Sequence, residues 1–277
     1  MDYEVHHRQF AAPFLVVGNR ENNLHFINES LQNHIYGVTN ALDELVTDAL
    51  FLSSLSLDPV GERHLRYGVM RRLRMIATAF RRFQSIIPPD RTAPLTLSQS
   101  DDVCRYLNSI YIDLLGLLDN YAWTLAFQFG SPATRAADRM QIGLFKSVLL
   151  KDPVLKKLME QLHQFSTWAK EVKERRNPAA HRMPLFVPSA GLTPADVAEQ
   201  QRLSELASAA LRLEQFDHYR ELKEAENRLG TLIPKFLHDP DGPINDIYPT
   251  LPSDIGNAVK VGRHVQTFIR ENLPTYS

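Results

Sequence analysis

The run IYIDLLGLLDNYAWTLAFQF, residues Ile110–Phe129, is the most apolar stretch of the chain and decides the fold class. It carries three polar groups that a membrane span would rarely tolerate, Asp113, Asp119 and Asn120, so it predicts a core helix and not a transmembrane one. Its apolar residues lie nearly all round a helical projection. This pattern is typical of a central helix that several neighbours cover.

Apolar residues at helical spacing predict further helices on both sides of this run. The stripes are Ile27–Leu52, Leu65–Phe83, Val103–Tyr121 and Leu155–Val172, and Ser253 is predicted to cap a last helix that contains Val259 and Ile269. A weak alternation in FLVVGNRENNLHFI hints at a short β-hairpin. The sequence therefore predicts an all-α, up-and-down helical bundle. Residues 1–26 form an N-terminal segment, residues 27–277 a single helical domain, and residues 184–252 an inserted loop-plus-helix region before the last helix.

Composition and charge limit the functional classes. The 277 residues are 44% hydrophobic and 23% charged, which is typical of a globular protein. Because the formal net charge is −1, any nucleic-acid binding has to come from a local patch. The single cysteine, Cys104, excludes an intrachain disulfide, and the polar N-terminus is unlike a secretory signal. These features predict a cytoplasmic protein.

The segment RRNPAAHRMP, residues 175–184, ends the fourth stripe. Arg176 continues the inward face of that stripe while Arg175 lies to its side, so Arg176 is predicted to need an anionic partner or a ligand. Asn177 precedes a proline, which disfavours helical geometry, so the helix is predicted to bend or stop there. His181 then lies about one turn beyond Arg176, and the two side chains are predicted to converge.

A structural interpretation of the same residues stays open. Arg176 would pair with a buried carboxylate, and His181 would form a hydrogen bond to the last carbonyls of the helix. Asp119, in the most buried helix, is a candidate for that carboxylate, and its pairing with another arginine is an equal alternative. The same spacing recurs in two other pairs, Arg20/His25 and Arg212/His218.

The letters RNPAAH resemble the R-N-x-x-x-H form of the Arg-x(4–6)-His motif of HEPN domains. These domains are helical bundles, often dimeric, and many are metal-independent ribonucleases of toxin–antitoxin, defence or RNA-processing systems. The resemblance implies catalytic roles for Arg176, Asn177 and His181. The supporting candidates are Asp119, Asn120 and Arg175. Where some members carry a modifiable tyrosine two residues after the histidine, this chain has Met183.

The residue types suit RNA cleavage without a metal or another cofactor. RNA supplies its own nucleophile, the 2′-hydroxyl, so the protein has to supply proton transfer and a cation for the phosphorane. Histidine titrates near neutral pH, and arginine binds phosphate oxygens at two points. Because one histidine per chain is short of an acid–base pair, a homodimer is expected, with any antitoxin a separate protein. The alternatives are a non-catalytic HEPN-like RNA- or protein-binding scaffold and a helical bundle of unrelated role.

The second stripe is rich in arginine. Arg71, Arg74 and Arg82 lie opposite its apolar face and are candidates for binding an RNA backbone. The alternative is a solvated face whose arginines pair with acids elsewhere in the chain.

Overall fold

The computed structural model describes residues 20–181, 183–239 and 241–273, with the side chains of residues 20–31 and 178–181 outside the description. The chain within these ranges is predominantly helical, which confirms the predicted all-α class. The first helices are α1 Arg20–Leu52, α2 Pro59–Arg63, α3 Met70–Ile86 and α4 Leu97–Gln128. Further along the chain lie α5 Pro132–Arg135, α6 Ser147–Leu150, α7 Lys156–Leu162, α8 Ser166–His181, α9 Pro194–Arg212, α10 Phe216–Glu226 and α11 Ile247–Asn272.

Helix α4 is the centre of the bundle, as its apolar run predicts. Thr96 and Gln99 form a capping box at its start, which satisfies two backbone donors reciprocally. Helices α3, α8 and α11 pack around it, and α1 packs on α3 and α11. No helix in the described residues is long and apolar enough to cross a membrane.

The predicted stripes face this core. Their fully buried members include Leu42, Leu45, Leu65, Leu73, Phe80, Leu107, Leu114, Tyr121, Val172, Val259 and Ile269. The fourth stripe is buried but is not one helix, because a 3₁₀ turn, His163–Phe165, separates α7 from α8.

A π-helical turn, His64–Val69, joins α2 to α3 in one continuous helical stretch. Asp58 begins the stretch by accepting hydrogen bonds from the backbone N–H groups of Val60 and Gly61. Such a turn holds an extra residue, so it shifts the faces of the helix on its two sides. A pattern search that assumes the α-helical period cannot predict it.

Two predicted boundaries are wrong. The predicted hairpin does not extend past Arg20, because α1 begins there and residues 20–27 are helical; residues 1–19 lie outside the described ranges. The last helix begins at Ile247, and Ser253 lies inside it instead of capping it. Tyr248 has extended backbone dihedrals within this range (φ −109°, ψ 121°), so the regular helix starts at Pro249. Pro249 and Pro252 then lie in its first turn, where proline is tolerated.

The inserted region contains a helical hairpin. Helices α9 and α10 pack on each other around a small cluster formed by Leu203, Ala207, Ala210 and Leu222. Thr193 and Asp196 form a capping box at the start of α9, with Pro194 in its first turn. A two-stranded antiparallel sheet, β1 Lys235–Phe236 and β2 Asn245–Asp246, precedes α11.

Candidate functional site

The helix that carries the RNPAAH motif does not stop where its sequence predicts. Helix α8 continues through Asn177 and Pro178 to His181. The steric bias before a proline is a preference, and here the helical backbone continues past it. His181 is therefore the last residue of the helix and does not lie beyond its end.

This continuation changes which motif residues share a face. Arg176 and His181 are five residues apart, so their Cα–Cβ bonds leave the helix about 140° apart. Asn177 and His181 are four residues apart and share a face. The positions of Arg176 and His181 therefore do not lie on one face of α8, and the expected convergence of their side chains stays a prediction. The side chain of His181 is outside the described part of the chain.

Arg175, and not Arg176, binds the buried carboxylate at this helix. Its Nη1 donates to both carboxylate oxygens of Asp254 at 3.1 and 2.9 Å. Tyr111 Oη donates to Asp254 at 2.7 Å and Trp168 Nε1 donates to it at 3.0 Å. Burial raises the pKa of Asp254 to about 6, and Arg175, Tyr111 and Trp168 oppose that rise. The prediction that Arg175 lies to the side is wrong, and the residue ties α8 to α4 and α11.

Arg176 is half-buried, and its Nη1 lies 3.4 Å from Asn177 Oδ1. Asp119, expected to be a buried carboxylate, is instead solvent-exposed. Partial desolvation raises the pKa of Asp119, and the positive charges of Lys146 and Arg176 act in the opposite direction. Because water reaches this carboxylate, its electrostatic interactions with these cations are weak. Asp119 and Arg176 therefore lie within electrostatic reach of each other at an exposed edge between α4 and α8.

The buried acid of the central helix is Asp113. It accepts a hydrogen bond from Arg72 Nη1 at 2.8 Å, and Ser109 Oγ lies 3.4 Å from its other oxygen. Burial raises the pKa of Asp113, and Arg72 lowers it. The sequence shows both residues but gives no sign of their pairing, because 41 positions separate them.

Asn120 faces away from the α8 motif, toward the π-helical turn. Its Oδ1 lies 3.1 Å from His64 Nδ1, and its Nδ2 donates to Gly116 O at 2.6 Å. The two side chains line a cleft of about 360 Å³ with Arg63, Arg71 and Arg72. His64 is not among the residues that the sequence predicts for a site. The available signal was a histidine among closely spaced arginines in ERHLRYGVMRRLR, but it lacks the spacing of a known motif.

Arg71, Arg74 and Arg82 are exposed along one face of α3, as predicted. The predicted alternative, in which these arginines pair with acids, applies to their neighbours. Arg66 pairs with Glu62, Arg72 with Asp113 and Arg81 with Asp43. Within the described ranges, Arg71, Arg74 and Arg82 form no ion pair. Three exposed cations without acid partners give this face an excess of positive charge.

No family model, curated protein or solved structure matches this chain. The resemblance to HEPN domains therefore rests on the α8 motif. Functional inference has to start from the residues and their contacts.

Proposed function

We propose that this protein is a HEPN-like helical bundle that acts on RNA, as a metal-independent endoribonuclease. The observation that carries the proposal is the row of Arg71, Arg74 and Arg82 on α3. These guanidinium groups are exposed and have no acid partner in the described residues. Their Cα atoms span roughly 16 Å along the helix, which is long enough to contact successive phosphates of one strand.

Cleavage is assigned to Arg176, Asn177 and His181. The 2′-oxygen of RNA bonds to phosphorus as the bond to the 5′-oxygen breaks, which leaves a 2′,3′-cyclic phosphate and a 5′-hydroxyl. One histidine takes the proton of the 2′-hydroxyl and a second protonates the leaving oxygen. Arg176 stabilises the charge that develops on the phosphorane. In this proposal the second histidine comes from the other chain of a two-fold homodimer.

A second candidate, a non-catalytic HEPN-like RNA- or protein-binding module, is supported by one feature of α8. Arg176 and His181 occupy helical positions about 140° apart around the axis of α8. Arg175 of the same segment holds the core together through Asp254. In this alternative the protein binds RNA through α3, or binds a protein such as a separate antitoxin, and cleaves nothing.

Salt-dependent RNA binding tests the shared part of both candidates. Changing Arg71, Arg74 and Arg82 to Gln should weaken binding of a single-stranded RNA and lower the slope of log affinity against log salt by about 2. The matched control removes the same charge from the exposed α9–α10 region as Arg202→Gln, Arg220→Gln and Arg228→Gln. An equal loss in both triple variants would show that net charge, and not the α3 face, binds RNA.

Cleavage in the presence of a metal chelator separates the two candidates. Wild type should cut a labelled RNA, while His181→Ala and Arg176→Ala should not, and His218→Ala should cut normally because His218 is exposed on α10. Arg176→Lys should fold like wild type and cut poorly, because an ammonium lacks the planar fork of donors. RNA that is bound but never cut would leave the binding module as the function.

A further inference from the structure

The cleft beside the π-helical turn has features of a built binding site, and the RNPAAH motif does not contribute to it. It lies between that turn, α3 and α4. Its volume of about 360 Å³ falls at the lower end of the range typical of small-ligand sites. π-helical turns are rare in proteins, and many of those that occur lie at functional sites. Arg63, His64, Tyr67, Arg71, Arg72 and Asn120 line the cleft.

Hydrogen bonds fix the tautomer of His64. Asn120 donates through Nδ2 to Gly116 O, so its Oδ1 is the acceptor that faces His64 Nδ1 at 3.1 Å. A neutral imidazole in this position therefore carries its proton on Nδ1. Its Nε2 is left with a lone pair when neutral and becomes a donor when protonated.

Packing fixes the orientation of the same ring. The His64 imidazole stacks on Trp123 with ring centroids 4.9 Å apart, and Trp123 stacks on Phe127 at 5.3 Å. Gly68 allows Asn120 to approach, because a Cβ atom there would lie 2.0 Å from Asn120 Oδ1. A histidine held by an oriented amide and a two-ring stack is pre-organised in the way that binding and catalytic groups are.

The charge of the cleft favours an anion. Arg63 and Arg71 are exposed and form no ion pair within the described ranges, and Arg72 is held at the wall by Asp113. Asp113 is the acid among the lining residues, and its pairing with Arg72 offsets its charge. Two arginines beyond that pair give the cleft an excess of positive charge. Arginine binds phosphate oxygens with charge-assisted, two-point hydrogen bonds.

An aromatic surface adjoins these cations. Tyr67 is 52% exposed, and Arg71 Cζ lies 5.0 Å from the centroid of its ring. Base stacking on an exposed aromatic ring tolerates any base, since every base has a π-face. A phosphate joined to a flat aromatic group fits this combination of residues better than a free inorganic anion does.

We propose that this cleft binds a nucleotide, with Arg63 and Arg71 on the phosphate oxygens, Nε2 of His64 against the same phosphate and Tyr67 against the base. The site goes beyond the proposed ribonuclease. It shares only Arg71 with the RNA-binding face, and it uses no residue of α8.

Calorimetry with adenosine 5′-monophosphate tests the assignment. Arg63→Gln and Arg71→Gln should each weaken binding about tenfold, as expected for the loss of a charge-assisted contact. Arg81→Gln is the matched control, because Arg81 is exposed on the same helix, does not line the cleft and is not part of the RNA-binding row. This variant should bind the nucleotide as wild type does. Inorganic phosphate and adenosine should each bind wild type more weakly than the nucleotide does. In Tyr67→Ala, the affinity for the nucleotide should fall to that for inorganic phosphate.

Nitrogen NMR of His64 gives an independent readout. Saturation with the nucleotide should move the Nε2 resonance of His64, and Asn120→Ala should remove the preference for a proton on Nδ1. An unmoved Nε2 signal, equal affinity for phosphate and nucleotide, or the same loss in Arg81→Gln would overturn the proposal. Failure of the ribonuclease proposal would look different, because long RNA would be neither bound along α3 nor cut while nucleotide binding persisted.

Discussion

Two arginine–aspartate pairs flank the central helix, and they differ in what surrounds them. Arg175 Nη1 lies 2.9 Å from Asp254 Oδ2, and the two side chains are 16% and 5% exposed. Arg72 Nη1 lies 2.8 Å from Asp113 Oδ1, but the side chain of this arginine is 32% exposed and lines the His64 cleft. The two carboxylates are similarly buried, so the pairs differ in the solvent exposure of their arginines.

This difference indicates that the Arg175–Asp254 pair stabilises the fold, while the Arg72–Asp113 pair positions a cation at the cleft. At Asp254, Tyr111 and Trp168 supply further donors, so the carboxylate is enclosed by protein on every described side. At Asp113, the acid holds one edge of Arg72 while the guanidinium borders a cleft. A segment that resembles a catalytic motif thus contributes a structural arginine, and the region without a recognisable motif presents a positioned cation.

The largest expected effect comes from Arg175→Met. The change leaves Asp254 buried without its cation, and should lower the free energy of unfolding by about 3–5 kcal/mol in a urea titration. Adding Asp254→Asn to this variant should recover part of the loss, because it removes the unpaired charge. A loss below about 1 kcal/mol for Arg175→Met would show that the pair does not stabilise the bundle.

Arg72→Met should cost less, about 1–3 kcal/mol in the same titration, because water in the cleft can solvate Asp113. Although Arg72→Met should destabilise the fold less than Arg175→Met does, it should weaken ligand binding more. Nucleotide binding should weaken in Arg72→Met, because Asp113 in the cleft loses the cation that offsets its charge. It should stay unchanged in Arg175→Met, when both variants are measured well below their melting temperatures. Equal binding by the two variants would remove the distinction between the pairs.

The pH dependence of stability sharpens the comparison further. Because burial raises the pKa of Asp254 to about 6, the folded state holds this proton more tightly than the unfolded state does. The contribution of Asp254 to stability is therefore fully present below about pH 4, falls as pH rises to about 6, and is constant above that. The stability of wild type minus that of Asp254→Asn should fall by about 1–3 kcal/mol over this window. A difference that is flat with pH would contradict the raised pKa.

The sequence predicts the bundle better than it predicts the pairs. The run of residues 110–129 indicates a buried central helix because apolar residues surround it, and α4 has that place. Arg175 and Arg176 both follow Val172 at spacings that reach the inward face, by three and by four residues. The position of Asp254 decides between them, and a local pattern contains no information about a residue 79 positions away.

The π-helical turn explains why the His64 cleft escaped prediction. Periodicity places Leu65 and Val69 in the core correctly, and both are fully buried. The side chain of His64 reaches Asn120 across 56 positions, through a backbone geometry that the α-helical period does not include. The exposed arginines of α3 were predictable, because they lie opposite a regular apolar stripe.

Gly68→Ala tests the smallest effect, the close approach that lets Asn120 reach His64. The added methyl group would meet Asn120 Oδ1, so the variant should be about 1 kcal/mol less stable than expected from helix propensity and should bind nucleotide more weakly. Gly61→Ala is the matched control, since its Cβ would have no neighbour closer than 3.4 Å. If both variants gain stability to the same extent and bind equally, the approach of Asn120 is not needed.

Ultraviolet crosslinking of a bound RNA, followed by mass spectrometry of the digested protein, locates the RNA most directly. The crosslinked peptides should fall within residues 63–82, with Tyr67 among the attachment points because its ring is exposed beside Arg71. Those crosslinks should disappear when Arg71, Arg74 and Arg82 are changed to Gln, and should persist in Arg202→Gln. Crosslinks confined to the α9–α10 region, or unaffected by the changes on α3, would contradict the assignment of RNA binding to this face.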